Sequence, residues 1–300
     1  MINYDRIFND KNEMKEFVLS CEGNYTKQVL DVARSIAGDS SVKFVMLCGP
    51  SCSGKTTTAS ILFSELAQHG KQAEVISIDD FYRNRIKYEP KPDFETAAAI
   101  DLEYFGKCID DLTSGREAQL PIFDFNIEAR SGYRPHRLAE NEIIVFEGIQ
   151  ALYPEILSHI PKESMKTIYI SVSDDVVAYG RYFSARDIRF VRRLVRDYKF
   201  RSSSARRTID LWTDVVANEE KSIIPASKNV DFIINSLMLY EINVMKPYIL
   251  NTVRFDLQNP EELEVYKGFE DKYLNVPEIP SGLIPSHSVF REFIGRKQNP

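Results

Sequence analysis

Cysteine and histidine are scarce in this 300-residue chain, which has four of each. Cys21, Cys48, Cys52 and Cys108 include no C-x-x-C pair, and no two histidines stand at metal-ligand spacing. Zinc sites and a disulfide framework are therefore disfavoured. No apolar run approaches the ~20 residues that cross a bilayer. The first residues, Met1-Ile2-Asn3-Tyr4-Asp5, lack the basic and apolar regions of a signal peptide. The expectation is a soluble, cytoplasmic protein with no membrane partner. A surplus of positive charge is missing too. The formal net charge is -6, which makes nucleic acid an unfavoured partner. Repeats and low-complexity tracts are absent. With 43% hydrophobic residues, the chain can bury one large core, or one core with an appendage.

What is present centres on Gly49-Pro50-Ser51-Cys52-Ser53-Gly54-Lys55-Thr56, followed by Thr57, which fits the phosphate-loop pattern G-x-x-x-x-G-K-[ST]. Four fixed positions match by chance in roughly one chain of this length in a hundred, and the context is also right. Phe44-Val45-Met46-Leu47-Cys48 reads as a buried strand, and Ala59, Leu62, Phe63 and Leu66 recur at helical spacing beyond the loop. The glycines let backbone N–H groups turn inward toward phosphate oxygens, where a helix N-terminus adds partial positive charge. Lys55 is expected at the β- and γ-phosphates, and the Thr56 hydroxyl at Mg2+.

Two strand-end acids accompany the loop. Ala73-Glu74-Val75-Ile76-Ser77-Ile78 reads as a strand ending in Asp79-Asp80-Phe81-Tyr82. A carboxylate there faces the ligand crevice of an open α/β sheet, where it can accept a hydroxyl proton or help hold Mg2+. Glu142-Ile143-Ile144-Val145-Phe146-Glu147-Gly148 has the Walker B arrangement, a buried strand delivering Glu147 to the metal. Between them lie an irregular stretch from Tyr82 to Thr96, an amphipathic helix through Leu102, Phe105, Ile109 and Leu112, and a hairpin from Leu120 to Arg134. Further strands are expected at Thr167–Val172 and Val230–Asn235, and further helices at Thr208–Glu220 and Met238–Leu250.

Positive charge gathers in one place. Between Arg186 and Arg207, nine Lys or Arg stand against two Asp. Arg189, Arg193 and Arg196 share one helical face, and Ile188, Val191 and Val195 take another. A mobile lid closing over triphosphate accounts for this better than a solvated face, because guanidinium groups match the charge of a phosphoryl group in transfer.

Together these blocks resemble the uridine kinase and phosphoribulokinase family of P-loop kinases. They are Gly49 to Thr57, Ser77 to Tyr82, Pro121-Ile122-Phe123-Asp124-Phe125, Val145 to Ile149 and Arg192-Arg193-Leu194-Val195-Arg196-Asp197. The similarity runs over roughly residues 40–250. Asn235 to Glu241 and Phe290 to Gly295 are similar to a bacterial nucleoside-kinase branch. The resemblance implies transfer of a phosphoryl group from ATP or GTP, with Mg2+, to the 5′-hydroxyl of a nucleoside, classically uridine or cytidine.

By position, the resemblance makes Asp79 the base, with Lys55, Arg193 and Arg196 also catalytic. It makes Gly49, Ser51, Ser53, Gly54, Lys55, Thr56, Thr57 and Arg201 nucleotide contacts. Tyr82, Asp93, Phe123 and Arg193 fall at the substrate, and Thr56, Glu147 and Asp79 at the metal. Asp80 fills a variable slot. The ribose-gripping acid stays open among Glu89, Asp93 and Glu95. Asn126-Ile127-Glu128 stands where the family's uridine and cytidine kinases carry a base-reading histidine, so the base stays open as well.

The expected fold is a mainly parallel five-stranded α/β sheet of P-loop NTPase type with helices on both faces. Residues 1–40 form a helical lead-in and 41–250 the kinase domain, with a lid around 186–207 and a substrate loop over 82–135. Residues 251–300 form a tail that covers the core or makes a homo-oligomer contact. Two other readings remain: a kinase for another small alcohol, of sugar-phosphate or pantothenate type, and a nucleotide-dependent switch that transfers nothing.

Overall fold

Phe44–Cys48 is a run of five apolar residues, and all five are buried, as expected of a strand covered on both faces. The computed structural model describes residues 1–84 and 94–295. Within them the strands are β1 (Ile2–Tyr4), β2 (Phe44–Cys48), β3 (Gln72–Ser77), β4 (Ala118–Asp124), β5 (Ala129–His136), β6 (Glu142–Glu147), β7 (Met165–Ser171), β8 (Val176–Ala178), β9 (Arg181–Phe183) and β10 (Phe232–Asn235). The longer helices are α1 (Lys11–Ala37), α2 (Lys55–Gln68) and α3 (Leu102–Thr113), then, after the single turn α4 (Pro154–Leu157), α5 (Ala185–Phe200) and α6 (Ala205–Asn218). Beyond the short α7 (Ile224–Ala226) come α8 (Glu241–Pro247), α9 (Pro260–Tyr273) and a last turn, α10 (Arg291–Ile294).

Five strands make one parallel sheet in the order β10-β7-β2-β6-β3. Side chains alternate across β2. Val45 and Leu47 join the core that contains α1, α2 and α5, while Phe44, Met46 and Cys48 join the core that contains α3 and β4. Register sets the site. Leu47 and Ser77 both stand opposite Glu147, so the carboxyl ends of β2, β3 and β6 finish level with one another. The crevice at that edge is where an open α/β sheet binds ligands.

The hairpin β4–β5 forms as expected, as does the α3 that precedes it. The lead-in departs from a purely helical reading. Residues 2–4 form β1, which pairs in parallel with β8, while β8 pairs antiparallel with β9. Only after Asp10, whose carboxylate accepts the N–H groups of Asn12 (2.7 Å) and Glu13 (3.0 Å), does α1 begin. The helix expected over Met238–Leu250 is α8, which widens through Tyr248–Thr252 just after Pro247, a residue with no N–H to donate.

No helix among the described residues is long and apolar enough to cross a membrane.

Candidate active site

The loop between β2 and α2 works because two of its glycines leave out atoms. A Cβ on Gly49 would lie 2.1 Å from the Ile170 carbonyl oxygen, so only glycine lets β2 hand the chain over so close to β7. Cys52 (φ 61) and Gly54 (φ 92) then turn it back through the left-handed region into α2. Lys55 arches across the loop, and its Nζ donates to the carbonyls of Gly49 (2.8 Å) and Pro50 (3.3 Å). The Ser53 hydroxyl is fully buried and has no hydrogen-bond partner among the described residues. A cradle with an orphaned donor and an ammonium group resting on carbonyls fits a phosphate chain.

Facing the loop is a cavity of about 260 Å3 lined by Ser51, Gly54, Lys55 and Thr56, by Asp79 and Glu147 at the strand ends, and by Arg193, Arg196 and Arg201. Asp79 follows β3 on a short turn in which its own N–H donates to the Ser77 hydroxyl (3.3 Å). Burial raises the Asp79 pKa, and the Tyr82 hydroxyl and Lys55 ammonium pull it only partway back. Burial raises Glu147 as well, with Lys55 opposing. Thr56, Asp79 and Glu147 together offer hard oxygen donors suited to Mg2+. Among the described residues no group of three or more His, Cys, Asp or Glu could hold a metal alone.

Helix α5 supplies the positive wall. The Arg193 Nη1 donates to the Ser51 hydroxyl (3.1 Å). Asp197 gathers three guanidinium groups, lying 2.7 Å from Arg196, 3.4 Å from Arg193 and 3.7 Å from Arg201. One carboxylate among three cations leaves this cluster with a net positive charge.

A family model described as the Phosphoribulokinase / Uridine kinase family matches residues 44–243. The chain belongs to this family. It is 26% identical over 194 residues to Uridine kinase-like protein 4 of Arabidopsis thaliana, covering 63% of this chain and 37% of that protein. Uridine-cytidine kinase A of Dictyostelium discoideum is 28% identical over 232 residues, 75% of this chain and 43% of that one. Uridine kinase of Mycoplasma genitalium is 26% identical over 198 residues, 63% of this chain and 83% of that one. The chain thus spans less than half the length of the Arabidopsis and Dictyostelium relatives.

Of the residues expected at a site of this family, Ser51, Gly54, Lys55, Thr56, Asp79, Glu147, Arg193, Arg196 and Arg201 converge on the one cavity. Thr57 lies beside it, with its hydroxyl donating to Glu292 (3.0 Å). Tyr82 and Phe123 are buried and pack on each other at 5.6 Å, with Phe94 against both, and neither lines this cavity, although the Tyr82 hydroxyl acts on Asp79, which does. Tyr82 donates to the Phe94 carbonyl (2.8 Å) and accepts from Gln150 (3.1 Å), which fixes the backbone leading to Glu95. Within the segment expected as a lid, Arg189 and Arg192 are buried and pair with Glu219 and Glu241. Asp93 lies outside the described residues, as does Glu89.

Sequence reasoning missed four contributors. Asp80, which filled a variable slot, accepts the Phe123 N–H (3.1 Å) and ties the hairpin to the strand end. Asp197 is the shared anchor of the cavity arginines. Glu292 reaches the site from a tail outside residues 44–243; the stretch around it, Phe290 to Gly295, carries a resemblance, but its contact with Thr57 is not readable from it. Gln150 sits three residues after Glu147, a spacing that places it at the same sheet edge but does not reveal its partner.

Proposed function

We propose that this chain is a nucleoside kinase that moves the γ-phosphoryl group of ATP or GTP to the 5′-hydroxyl of a nucleoside of the uridine or cytidine class. The observation that carries the reading is the burial of Asp79 in the same cavity as Lys55, Glu147, Arg193, Arg196 and Arg201. A nucleotide switch has no need of a proton acceptor there. Asp79 accepts the hydroxyl proton, while the loop amides and Lys55 hold the β- and γ-phosphates, Lys55 exchanging its two carbonyl partners for phosphate oxygens. Arg193 and Arg196 balance the charge that spreads over the group in transfer. Thr56 and Glu147, with Asp79, would hold Mg2+, which supplies charge neutralisation between the phosphates. Glu95 also lines the cavity, and this reading assigns it to the acceptor's hydroxyls.

Incubating the protein with ATP or GTP, Mg2+ and a panel of nucleosides, sugar phosphates and pantothenate tests this. Diphosphate release that depends on a pyrimidine nucleoside is the expected result. Release that depends only on another alcohol would move the acceptor to the sugar-phosphate or pantothenate class, and release that depends on no acceptor would contradict the kinase reading.

A further inference from the structure

Asp79, Glu147 and Glu95 line the phosphate cavity but not its neighbour. Thr56, Arg196, Arg201 and Glu292 line both it and a second cavity of about 500 Å3, whose wall is completed by Thr57, Ser286, His287, Ser288 and Arg291. The two spaces share those four residues and so run into one another.

In an in-line displacement the attacking and leaving oxygens lie on opposite sides of the phosphorus. With the acceptor hydroxyl at Asp79, the rest of the donor lies away from that acid, and the second cavity adjoins the phosphate site at Thr56 without including Asp79 or Glu147. That volume falls within the range of small-ligand sites. The C-terminal wall is also firmly built. The Arg291 guanidinium donates to the carbonyls of Ser281 (2.9 Å), Ile284 (2.5 Å), Pro285 (3.2 Å) and Gly295 (3.3 Å), folding the tail around itself. Phe290 and Phe293 are fully buried, the Ser288 hydroxyl lies 3.3 Å from the Tyr240 hydroxyl, and Lys199 donates to the Ile294 carbonyl (2.7 Å). Glu292 then fastens this turn to α2 through Thr57.

We propose that the C-terminal segment Ser286–Glu292, which lies outside the residues matched to the family, forms the compartment for the nucleoside half of the donor triphosphate. The proposal rests on the kinase reading and adds that donor affinity depends on the tail. Ser286 and His287 are exposed side chains on the cavity wall, so replacing them leaves the folded tail in place.

The test is calorimetric titration of wild type, Ser286→Trp and His287→Ala with ATP and, separately, with inorganic tripolyphosphate, each with Mg2+. Filling the compartment with Ser286→Trp should weaken ATP by about tenfold or more, His287→Ala should weaken it by less, and tripolyphosphate should bind all three alike. ATP affinity unchanged in Ser286→Trp would overturn the proposal, as would an equal loss of tripolyphosphate, since the segment would then act on the phosphate site and not on the nucleoside. A wild type that binds neither ligand contradicts the kinase reading itself.

Discussion

Helix α5 carries arginines of two kinds, side by side. Arg192 is fully buried, and its Nε and Nη2 donate to Glu241 at 2.6 and 2.7 Å, with further bonds to the Cys52 and Ser236 carbonyls. Arg189 pairs with buried Glu219 and donates to the Ser51 carbonyl at 3.3 Å. Each of these framework arginines has a carboxylate of its own. Arg193, Arg196 and Arg201 share a single one, Asp197. The same side chain therefore holds the phosphate loop in place on one part of the helix and leaves charge available to a ligand on the other. The deciding factor is the number of acids waiting opposite, and those acids come from segments far away in the chain.

The comparison can be broken first at its buried member. Arg192→Ala leaves Glu241 charged and unpaired in the core, and the expected loss is about 3–5 kcal/mol of stability, read by denaturant or thermal unfolding. A loss near zero would mean that Arg192 is not framework. Next, Arg193→Ala should leave the unfolding midpoint nearly unchanged while turnover drops by about 10²–10³-fold; a large stability loss with normal turnover would reverse the assignment of the two kinds. Asp197→Asn removes the shared anchor without removing a guanidinium group, so turnover should fall by about tenfold through misplacement, with nucleotide affinity less affected.

The smallest effect concerns pH. Burial raises the Asp79 pKa, so the carboxylate needed as base forms only above the ordinary carboxylate range. In the metal-free protein, an NMR titration of the Asp79 side-chain carboxyl should accordingly show its midpoint above that range, and a midpoint at or below it would contradict its burial.

Much of this site is written locally. The loop, the apolar runs of β2, β6 and β7, and the acids that end β3 and β6 are each contained in a few adjacent residues, and a parallel sheet then has to align their ends. The distinction within α5 is not local. Helical spacing groups Arg189, Arg193 and Arg196, but nothing near Arg189 announces Glu219, and nothing near Arg192 announces Glu241. Strand β1 was illegible for the same reason, since three residues carry no period and their partner lies at Val176–Ala178. Glu292 is the clearest case. Its place beside Thr57 follows from the packing of Phe290 and Phe293 and from the bonds made by Arg291, and those partners are themselves set by tertiary structure.

The account turns on Asp79 acting as the proton acceptor beside Lys55. Turnover and ATP affinity measured together on Asp79→Asn address it most directly. The expected result is turnover lowered by about 10²–10⁴-fold with ATP bound nearly as tightly as by wild type. Undiminished turnover, or a loss explained wholly by weaker ATP binding, would contradict it.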